Sequence, residues 1–251
     1  MFRSYFKKFF NAVLNKKICS RKFYEFSMHH PVMLQRIRLA MILPVFSIFY
    51  FTWFSHIERN ITLADRIHVI HMALDDYIPF CEWFIIPYFL WFAYVASVIV
   101  IGLFTDEKAY VKSCIFLFTG MTLFLIVSTI YPNGHHLRPN TFAHQNIFTS
   151  MVAHLYSIDT PTNLFPSIHV YNSIGAHIAL THNRVIKEKR WICNSSLILC
   201  ISIVLSTVFL KQHSVFDVIT AFLLVVVLYP IVYRFDYATI LAKKQIRQSA
   251  R

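Results

Sequence analysis

Residues 164–180 read LFPSIHVYNSIGAHIAL, an apolar run that opens near a proline and a serine and carries two histidines. It is one of six apolar stretches, each long enough for a helix to cross most of a bilayer. The six lie at about 39–57, 83–104, 113–131, 164–180, 195–210 and 215–233. The sequence therefore predicts an all-α polytopic membrane protein with six transmembrane helices in a bundle.

The composition fits the same class of protein. Of the 251 residues, 57% are hydrophobic and 14% are charged, whereas about a quarter of a soluble domain is charged. We predict a single membrane-embedded domain over residues 1–251, with basic tails at 1–37 and 234–251. In the first tail, apolar residues at helical spacing predict an amphipathic helix on the membrane surface; they are Phe6, Phe9, Phe10, Val13 and Leu14.

The basic residues are distributed unevenly around the predicted spans. The chain carries a net charge of +12, and twenty of its 24 Lys and Arg residues fall in the N-terminal segment up to Arg38, in the C-terminal tail and in the 105–112 and 181–194 loops. Six spans place all four segments on one side. Positive residues collect on the cytoplasmic side, so we expect a cell membrane protein with both termini in the cytoplasm. The positive charge then reflects topology and lipid headgroups, which argues against nucleic acid as a partner.

Three separated segments bring polar side chains to the opposite, outer face. Arg138 lies in the 132–163 loop, His169 opens the fourth span, and residues 211–217 read KQHSVFD between the last two spans. Ionisable residues at membrane depth are costly and indicate function. The sequence therefore predicts an active site at the outer membrane face.

The HxxxD spacing within 211–217 has a chemical meaning. His213 and Asp217 are four residues apart, so on a helix they would share one face. An aspartate that accepts a hydrogen bond from one imidazole nitrogen leaves the other nitrogen basic and able to attack. His169 then remains as a general acid for a leaving alkoxide. We predict His213, Asp217 and His169 as the catalytic residues.

The remaining polar residues at this face suit a phosphate group. Arg138, Ser167 and Lys211 are hydrogen-bond donors, and two of them are cations. Phosphoryl transfer needs mainly positioning and neutralisation of charge. We predict these three residues as ligands of a substrate phosphate. The five cysteines show no CxxC spacing, and neither the histidines nor the carboxylates show a metal-site spacing, so no metal and no cofactor are expected.

The ordered motifs RP, PSxH and HxxxD resemble those of the type 2 phosphatidic acid phosphatase superfamily, which are KxxxxxxRP, PSGH and SRxxxxxHxxxD. The resemblance covers about residues 75–235 and is carried by Arg138-Pro139, Pro166 to His169, Ser206, His213 and Asp217. It implies that His213 attacks phosphorus to form a phosphohistidine, oriented by Asp217. It also implies that His169 protonates the leaving group and that water releases phosphate without a metal.

Three positions depart from the family pattern. Tyr131 stands where the family has lysine, Thr207 where it has arginine, and Ile168 where it has glycine. Lys211 is expected to replace one missing cation, and His135 and His136 are further candidates, although both fit solvated loop positions. The PS-apolar-H motif and the compact KxHxxxD are also similar to the sphingomyelin and inositol phosphorylceramide synthases. Members of that branch pass a phosphoryl headgroup to a lipid alcohol.

Three other polar features fit structural roles. His177 lies two turns beyond His169, and we expect it to hydrogen-bond a neighbouring helix. His154 and Asp159 fit a polar loop better than a headgroup contact. Residues 61–78 have apolar side chains in helical register, which favours a second surface helix.

The sequence thus favours a membrane lipid phosphatase that hydrolyses a lipid phosphate monoester or diphosphate at the outer leaflet. A headgroup transferase that uses the same histidines is the alternative. A non-enzymatic protein with a degenerate site, and a transporter, follow in that order. The identity of the lipid, the acceptor and the oligomeric state stay open.

Overall fold

The computed structural model describes residues 31–61 and 67–234. Nine α-helices and two short strands follow one another in this part of the chain. The helices are α1 (Pro31–Ala40), α2 (Ile42–Asn60), α3 (Ala73–Tyr77), α4 (Ile85–Thr105), α5 (Glu107–Ile130), α6 (Ile147–Ile158), α7 (Ile168–His182), α8 (Arg190–Phe209) and α9 (Val215–Tyr229). A 3₁₀ turn, Glu82–Phe84, precedes α4, and a π-helical turn, Pro230–Arg234, follows α9. The strands are β1 (His68–Val69) and β2 (Asn133–Gly134).

Five stretches of the described residues are long and apolar enough to cross a membrane. They are Val32–Asn60, Glu82–Thr105, Glu107–Ile130, Arg190–Phe209 and Val215–Arg234. They coincide with five of the six predicted spans, and the all-α polytopic class is confirmed. The remaining span corresponds to α7, which has 15 residues. At 1.5 Å per residue α7 is about 22 Å long, shorter than the roughly 30 Å of a hydrocarbon core. The count of six stays a prediction.

The central position of α7 explains its unusual composition. It contacts α4, α5, α8 and α9, and more than half of its residues are buried. Its crossing with α5 is close at two glycines. A Cβ at Gly120 would lie 2.0 Å from the ring of Tyr171, and one at Gly175 would lie 2.7 Å from Leu117. Small residues allow such approaches between membrane helices.

A layer of loops covers the end of the helices where α7 and α9 begin. β1 pairs in parallel with β2, with His68 opposite Asn133. The side chain of Asn133 accepts hydrogen bonds from the backbone amides of Leu164 and Phe165. Glu58, near the end of α2, accepts hydrogen bonds from Thr160 and Asn163. These bonds fix the segment that leads into α7.

The surface helix predicted over 61–78 is wrong in the part that the structure describes. The amides of His68 and Ile70 donate to Pro132 and Gly134, so this segment uses its backbone donors in strand pairing. Only the five residues of α3 are helical.

Other predictions about the ends of the chain cannot be compared with the structure. The amphipathic helix predicted around Phe6–Leu14 and the tail after Arg234 lie outside the described residues. Contacts divide the chain at Val45 and Phe46 into two compact units, and every site residue discussed below belongs to the second. The single-domain organisation stays a prediction.

Candidate active site

The start of α9 brings His213 and Asp217 together through a helix cap. Ser214 is the N-cap, and its side chain accepts from the amide of Phe216, while its own amide donates to Asp217 Oδ2 at 3.0 Å. The same carboxylate oxygen lies 3.3 Å from His213 Nδ1. His213 therefore precedes the helix, and the predicted i, i+4 contact forms through the capping box rather than along a helical face. It is 4% exposed.

His169, in the first turn of α7, contacts the other side of the His213 ring. Its Nδ1 lies 3.4 Å from His213 Nε2, and its ring packs against those of Tyr88 and Trp91 from α4. An ionised Asp217 only accepts hydrogen bonds; in that charge state the proton lies on His213 Nδ1, and the lone pair of Nε2 faces His169 Nδ1. The two imidazoles and the carboxylate thus form one contiguous cluster.

Ser167 connects the starts of α7 and α9. Its hydroxyl caps α7 by accepting from the amide of Val170, and its own amide donates to the carbonyl oxygen of Asp217 at 3.3 Å. Ser167 is fully buried. A serine that accepts at a helix cap keeps its hydroxyl hydrogen for donation, and the helix end is positive; both features favour an anion.

Arg138 reaches the same cluster from the 132–146 loop. Its guanidinium donates to the carbonyl oxygen of Asp159 at 2.7 Å and to Gln212 Oε1. It lies over the ring of Tyr156, 4.5 Å from the centroid. Because Gln212 directly precedes His213, this contact brings Arg138 to the loop that carries His213.

Lys211 is held by carbonyl oxygens of the segment before α4. Its ammonium donates to the carbonyl oxygens of Asp75 at 2.7 Å and of Ile78. Its backbone has a φ of 51°, a left-handed conformation that is uncommon for residues other than glycine. Two of its three ammonium hydrogens therefore hold the 75–78 segment.

Burial sets the charge state of the loop histidines. Burial and then the nearby positive charge of Arg138 lower the pKa of His213 to about 3. Burial also lowers the pKa of His135 to about 4. Both imidazoles are accordingly neutral at pH 7, and a neutral imidazole is the form that can attack. Burial raises the pKa of Asp159 to about 6, with Arg138 opposing the shift.

Three residues of the cluster were missed or misjudged in the sequence. The prediction of a solvated His135 is wrong, because the side chain is 1% exposed and its Nε2 bonds the carbonyl oxygen of Gln212 at 3.0 Å. Gln212 is equally buried. Asp75 accepts from Ser214 Oγ and the amide of Val215. The adjacent acidic pair at 75–76 was a visible signal in an apolar stretch, but no spacing relates it to residue 214.

Other predicted polar residues are only partly as expected: the loop predicted for His154 is wrong, because this residue lies in α6. His136 and His154 are exposed. The prediction for His177 is confirmed, because its Nδ1 lies 3.0 Å from Ser196 Oγ of α8. Tyr131, at the family's lysine position, is exposed and stacks on His68. The carbonyl oxygen of Thr207 accepts from the amides of both Gln212 and His213, which closes the loop before the nucleophile.

The fold and the site together define a polytopic all-α protein with a His–Asp–His cluster where two helices begin. Residues 136–240 match the family model of the PAP2 superfamily. The matched region is similar to that superfamily, as the motifs indicated, and it contains all six predicted site residues. No curated protein and no solved structure matched the chain.

Proposed function

We propose that the protein is a lipid phosphatase that hydrolyses a phosphate monoester or diphosphate through a phosphohistidine at His213. The observation that carries the proposal is the position of the His213 ring between Asp217 Oδ2 at 3.3 Å and His169 Nδ1 at 3.4 Å. One neighbour orients the nucleophile and the other lies where protons are exchanged with the leaving group.

The chemistry proceeds in two displacements at phosphorus. His213 Nε2 forms a bond to phosphorus as the bond to the leaving alkoxide breaks. His169, protonated when the anionic substrate binds, gives its proton to that alkoxide. His169 then takes a proton from water as the water attacks phosphorus and the P–N bond breaks, which restores His213. Asp217 keeps its hydrogen bond to His213 Nδ1 throughout.

Arg138, Ser167 and Lys211 bind the substrate phosphate in this proposal. Arg138 supplies charge and directional donors, and Ser167 supplies its hydroxyl hydrogen at the start of α7. Lys211 has one ammonium hydrogen beyond its two carbonyl contacts, and its charge lies near the loop that carries the nucleophile. None of the proposed steps requires a metal ion.

The proposed location of the reaction is the outer leaflet of the cell membrane. The uneven distribution of Lys and Arg supports cytoplasmic termini. With six spans, the ends of the helices where α7 and α9 begin then face outward. A lipid headgroup at that interface lies at the depth of a histidine in the first turn of a membrane helix.

The proposal is tested with purified protein and a panel of lipid phosphates. The panel contains phosphatidate, phosphatidylglycerol phosphate, a polyprenyl diphosphate and a sphingoid phosphate. His213→Ala is expected to abolish release of inorganic phosphate from every substrate of the wild type. His154→Ala, which changes an exposed histidine of α6, is expected to retain full activity. Turnover retained by His213→Ala would rule out the assignment.

A headgroup transferase is the second candidate. It is favoured by Tyr131 at the family's lysine position and by the two carbonyl oxygens that already engage Lys211. Arg138 remains as the cation that contacts the loop of the nucleophile, and a singly charged phosphodiester needs less positive charge than a monoester dianion. A transferase is expected to leave lipid phosphates intact and to form a new phospholipid from a headgroup donor and a lipid alcohol. Failure to trap a phosphohistidine under both conditions would favour a non-enzymatic protein.

A further inference from the structure

Gln212 is held rigidly at the centre of the candidate site. It is 1% exposed and lies between Lys211 and His213. Its backbone amide donates to the carbonyl oxygen of Thr207 at 2.9 Å, and its own carbonyl oxygen accepts from His135 Nε2 at 3.0 Å. Both backbone groups are therefore fixed, and the side chain has little freedom to leave the cluster.

Arg138 determines which way the amide of Gln212 points. A guanidinium has donors and no acceptor, so the atom that contacts Arg138 Nη2 must be the oxygen Oε1. The nitrogen Nε2 then points away from the guanidinium with two hydrogens to donate. Exchange of the two amide positions would place two donors against each other.

Two buried donors of this pair have no acceptor. Within residues 31–61 and 67–234, neither Gln212 Nε2 nor Arg138 Nε has a hydrogen-bond partner. A buried donor left without a partner costs about 1–3 kcal/mol, and such groups in a folded protein call for an explanation. One explanation is that a bound ligand supplies the missing acceptor, which fits the position of the two donors beside His213.

We propose that Gln212 Nε2 and Arg138 Nε form an oxyanion subsite that binds the oxygens of the substrate phosphoryl group. The inference rests on the proposed function, because the ligand is the phosphoryl group that His213 attacks. The amide donates hydrogen bonds without adding charge. Two cations of the family pattern are missing here, because this chain has Tyr131 and Thr207 at their positions. Gln212 is then a substrate-binding residue rather than a spacer before the nucleophile.

The decisive variant is Gln212→Glu. A carboxylate keeps the oxygen that accepts from Arg138 but cannot donate to phosphate. A protonated carboxyl has an O–H donor in the place of the amide N–H. If Gln212 only holds Arg138, the substitution leaves activity unchanged or lowers it equally at every pH. If Gln212 donates to the substrate, activity falls at high pH and recovers as the new carboxyl is protonated.

Phosphate release is measured from pH 5 to pH 8.5 and expressed as the ratio of variant to wild type. The ratio cancels the titration of neighbouring groups that both proteins share, which are His135, Asp159, His169, His213 and Asp217. Arg138 keeps its charge over this range. We expect Gln212→Glu to be about 100-fold slower than wild type at pH 8, the size of effect seen when one oxyanion donor is lost. The ratio is expected to rise as the pH falls.

Two comparison variants complete the test. Gln145→Glu changes an exposed glutamine in the 132–146 loop and is expected to follow the wild type at every pH. Gln212→Met removes both the donor and the acceptor and is expected to lose activity without recovery at low pH. Wild-type activity in Gln212→Glu, or a loss that does not vary with pH, would overturn the inference.

A binding measurement covers the case in which Gln212→Glu does not fold. Gln212→Asn keeps a neutral amide but withdraws it by one methylene group, and it is expected to weaken inhibition by vanadate about tenfold. Unchanged inhibition would overturn the inference. The proposed function fails separately: an inactive wild type or an active His213→Ala refutes it, whereas active Gln212 variants with an inactive His213→Ala refute the subsite alone.

Discussion

The carboxylate of Asp75 accepts the hydroxyl hydrogen of Ser214 at 2.6 Å, although the two residues are 139 positions apart. The other oxygen of Asp75 accepts from the amide of Val215 at 2.7 Å, and Lys211 donates to its backbone carbonyl. A short segment before α4 thereby supports the start of α9, where Asp217 lies. Under the proposed function, Asp75 positions His213 through this helix start and does not contact the substrate.

Replacing Asp75 with Ala is expected to lower both stability and turnover. The hydroxyl of Ser214 and the amide of Val215 lose buried acceptors, which costs about 2 kcal/mol in the free energy of unfolding. We expect phosphate release to fall about tenfold as His213 loses its fixed position. Thermal unfolding and the rate of phosphate release measure the two effects. Asp76→Ala removes an exposed carboxylate bonded to exposed His71, and an equal effect there would contradict this role.

Arg138→Lys is expected to lose about 100-fold in kcat/KM despite retaining a positive charge. A lysine cannot donate simultaneously to the carbonyl oxygen of Asp159 and to Gln212 Oε1 while stacking on Tyr156. The kinetics of phosphate release give the measurement. Arg59→Lys, at an exposed position near the end of α2, is the control, and comparable losses in both variants would argue against a specific role for Arg138.

The pKa of His135 predicts a loss of stability in acid. Its folded-state pKa of about 4 lies below the unfolded value of about 6.5, so its contribution is complete above pH 6.5 and is lost as the pH falls towards 4. At pH 5 the loss is about 2 kcal/mol. His135→Gln keeps a donor for the carbonyl oxygen of Gln212 and does not titrate. We expect melting temperatures in detergent to fall less between pH 7.5 and pH 5 in this variant.

His136→Gln is the matched control for that measurement, because the adjacent side chain is exposed. It is expected to show the acid dependence of the wild type. Identical acid dependence in His135→Gln and wild type would show that another group is responsible.

His177→Ala is expected to reduce stability by about 1 kcal/mol and to leave the activity of the folded protein unchanged. Its hydrogen bond to Ser196 joins α7 to α8, and Ser196 also bonds Tyr94 of α4 at 2.6 Å. A double-mutant cycle of His177→Ala with Ser196→Ala measures the coupling between the two side chains. If the losses in the free energy of unfolding from the two single substitutions sum to the loss in the double variant, the contact would be contradicted.

Gly120→Ala is expected to disrupt packing of the helices. The added methyl would lie 2.0 Å from the ring of Tyr171, whose hydroxyl donates to the carbonyl oxygen of Phe116 and so cannot move freely. Overpacking of this kind costs about 1–3 kcal/mol or more. At Gly102 the nearest atom would be 3.4 Å away, an ordinary contact, so Gly102→Ala is the control. Similar thermal stabilities of the two variants would contradict the close α5–α7 crossing.

Sequence patterns predicted the features that depend on neighbouring residues. The five apolar spans follow from the length and composition of each segment alone. The contact between His213 and Asp217 follows from a spacing of four, even though the contact forms in a helix cap. His177 could be assigned to helix packing because it lies eight residues, or about two helical turns, beyond His169 in the fourth stretch.

The contacts that the sequence did not predict are those with residues far away in the chain. His135 has the same polar surroundings in sequence as exposed His136, yet the carbonyl oxygen of Gln212 and the loops around it remove His135 from solvent. Lys211 has the charge expected of a phosphate ligand, but the carbonyls of Asp75 and Ile78 engage two of its hydrogens. Residue type and local spacing contain no information about which distant carbonyl a flexible ammonium will reach.

The sequence by itself predicted the membrane class, the similarity to the phosphatase superfamily and the candidate site residues, because hydropathy and short motifs are local properties of the chain. Tertiary structure alone decided how LFPSIHVYNSIGAHIAL is accommodated. Its helix lies among four others, so its polar and small side chains face protein instead of lipid. Tertiary structure also decided which donors remain without partners beside His213, since hydrogen bonds between distant segments are settled only when the helices and loops pack together.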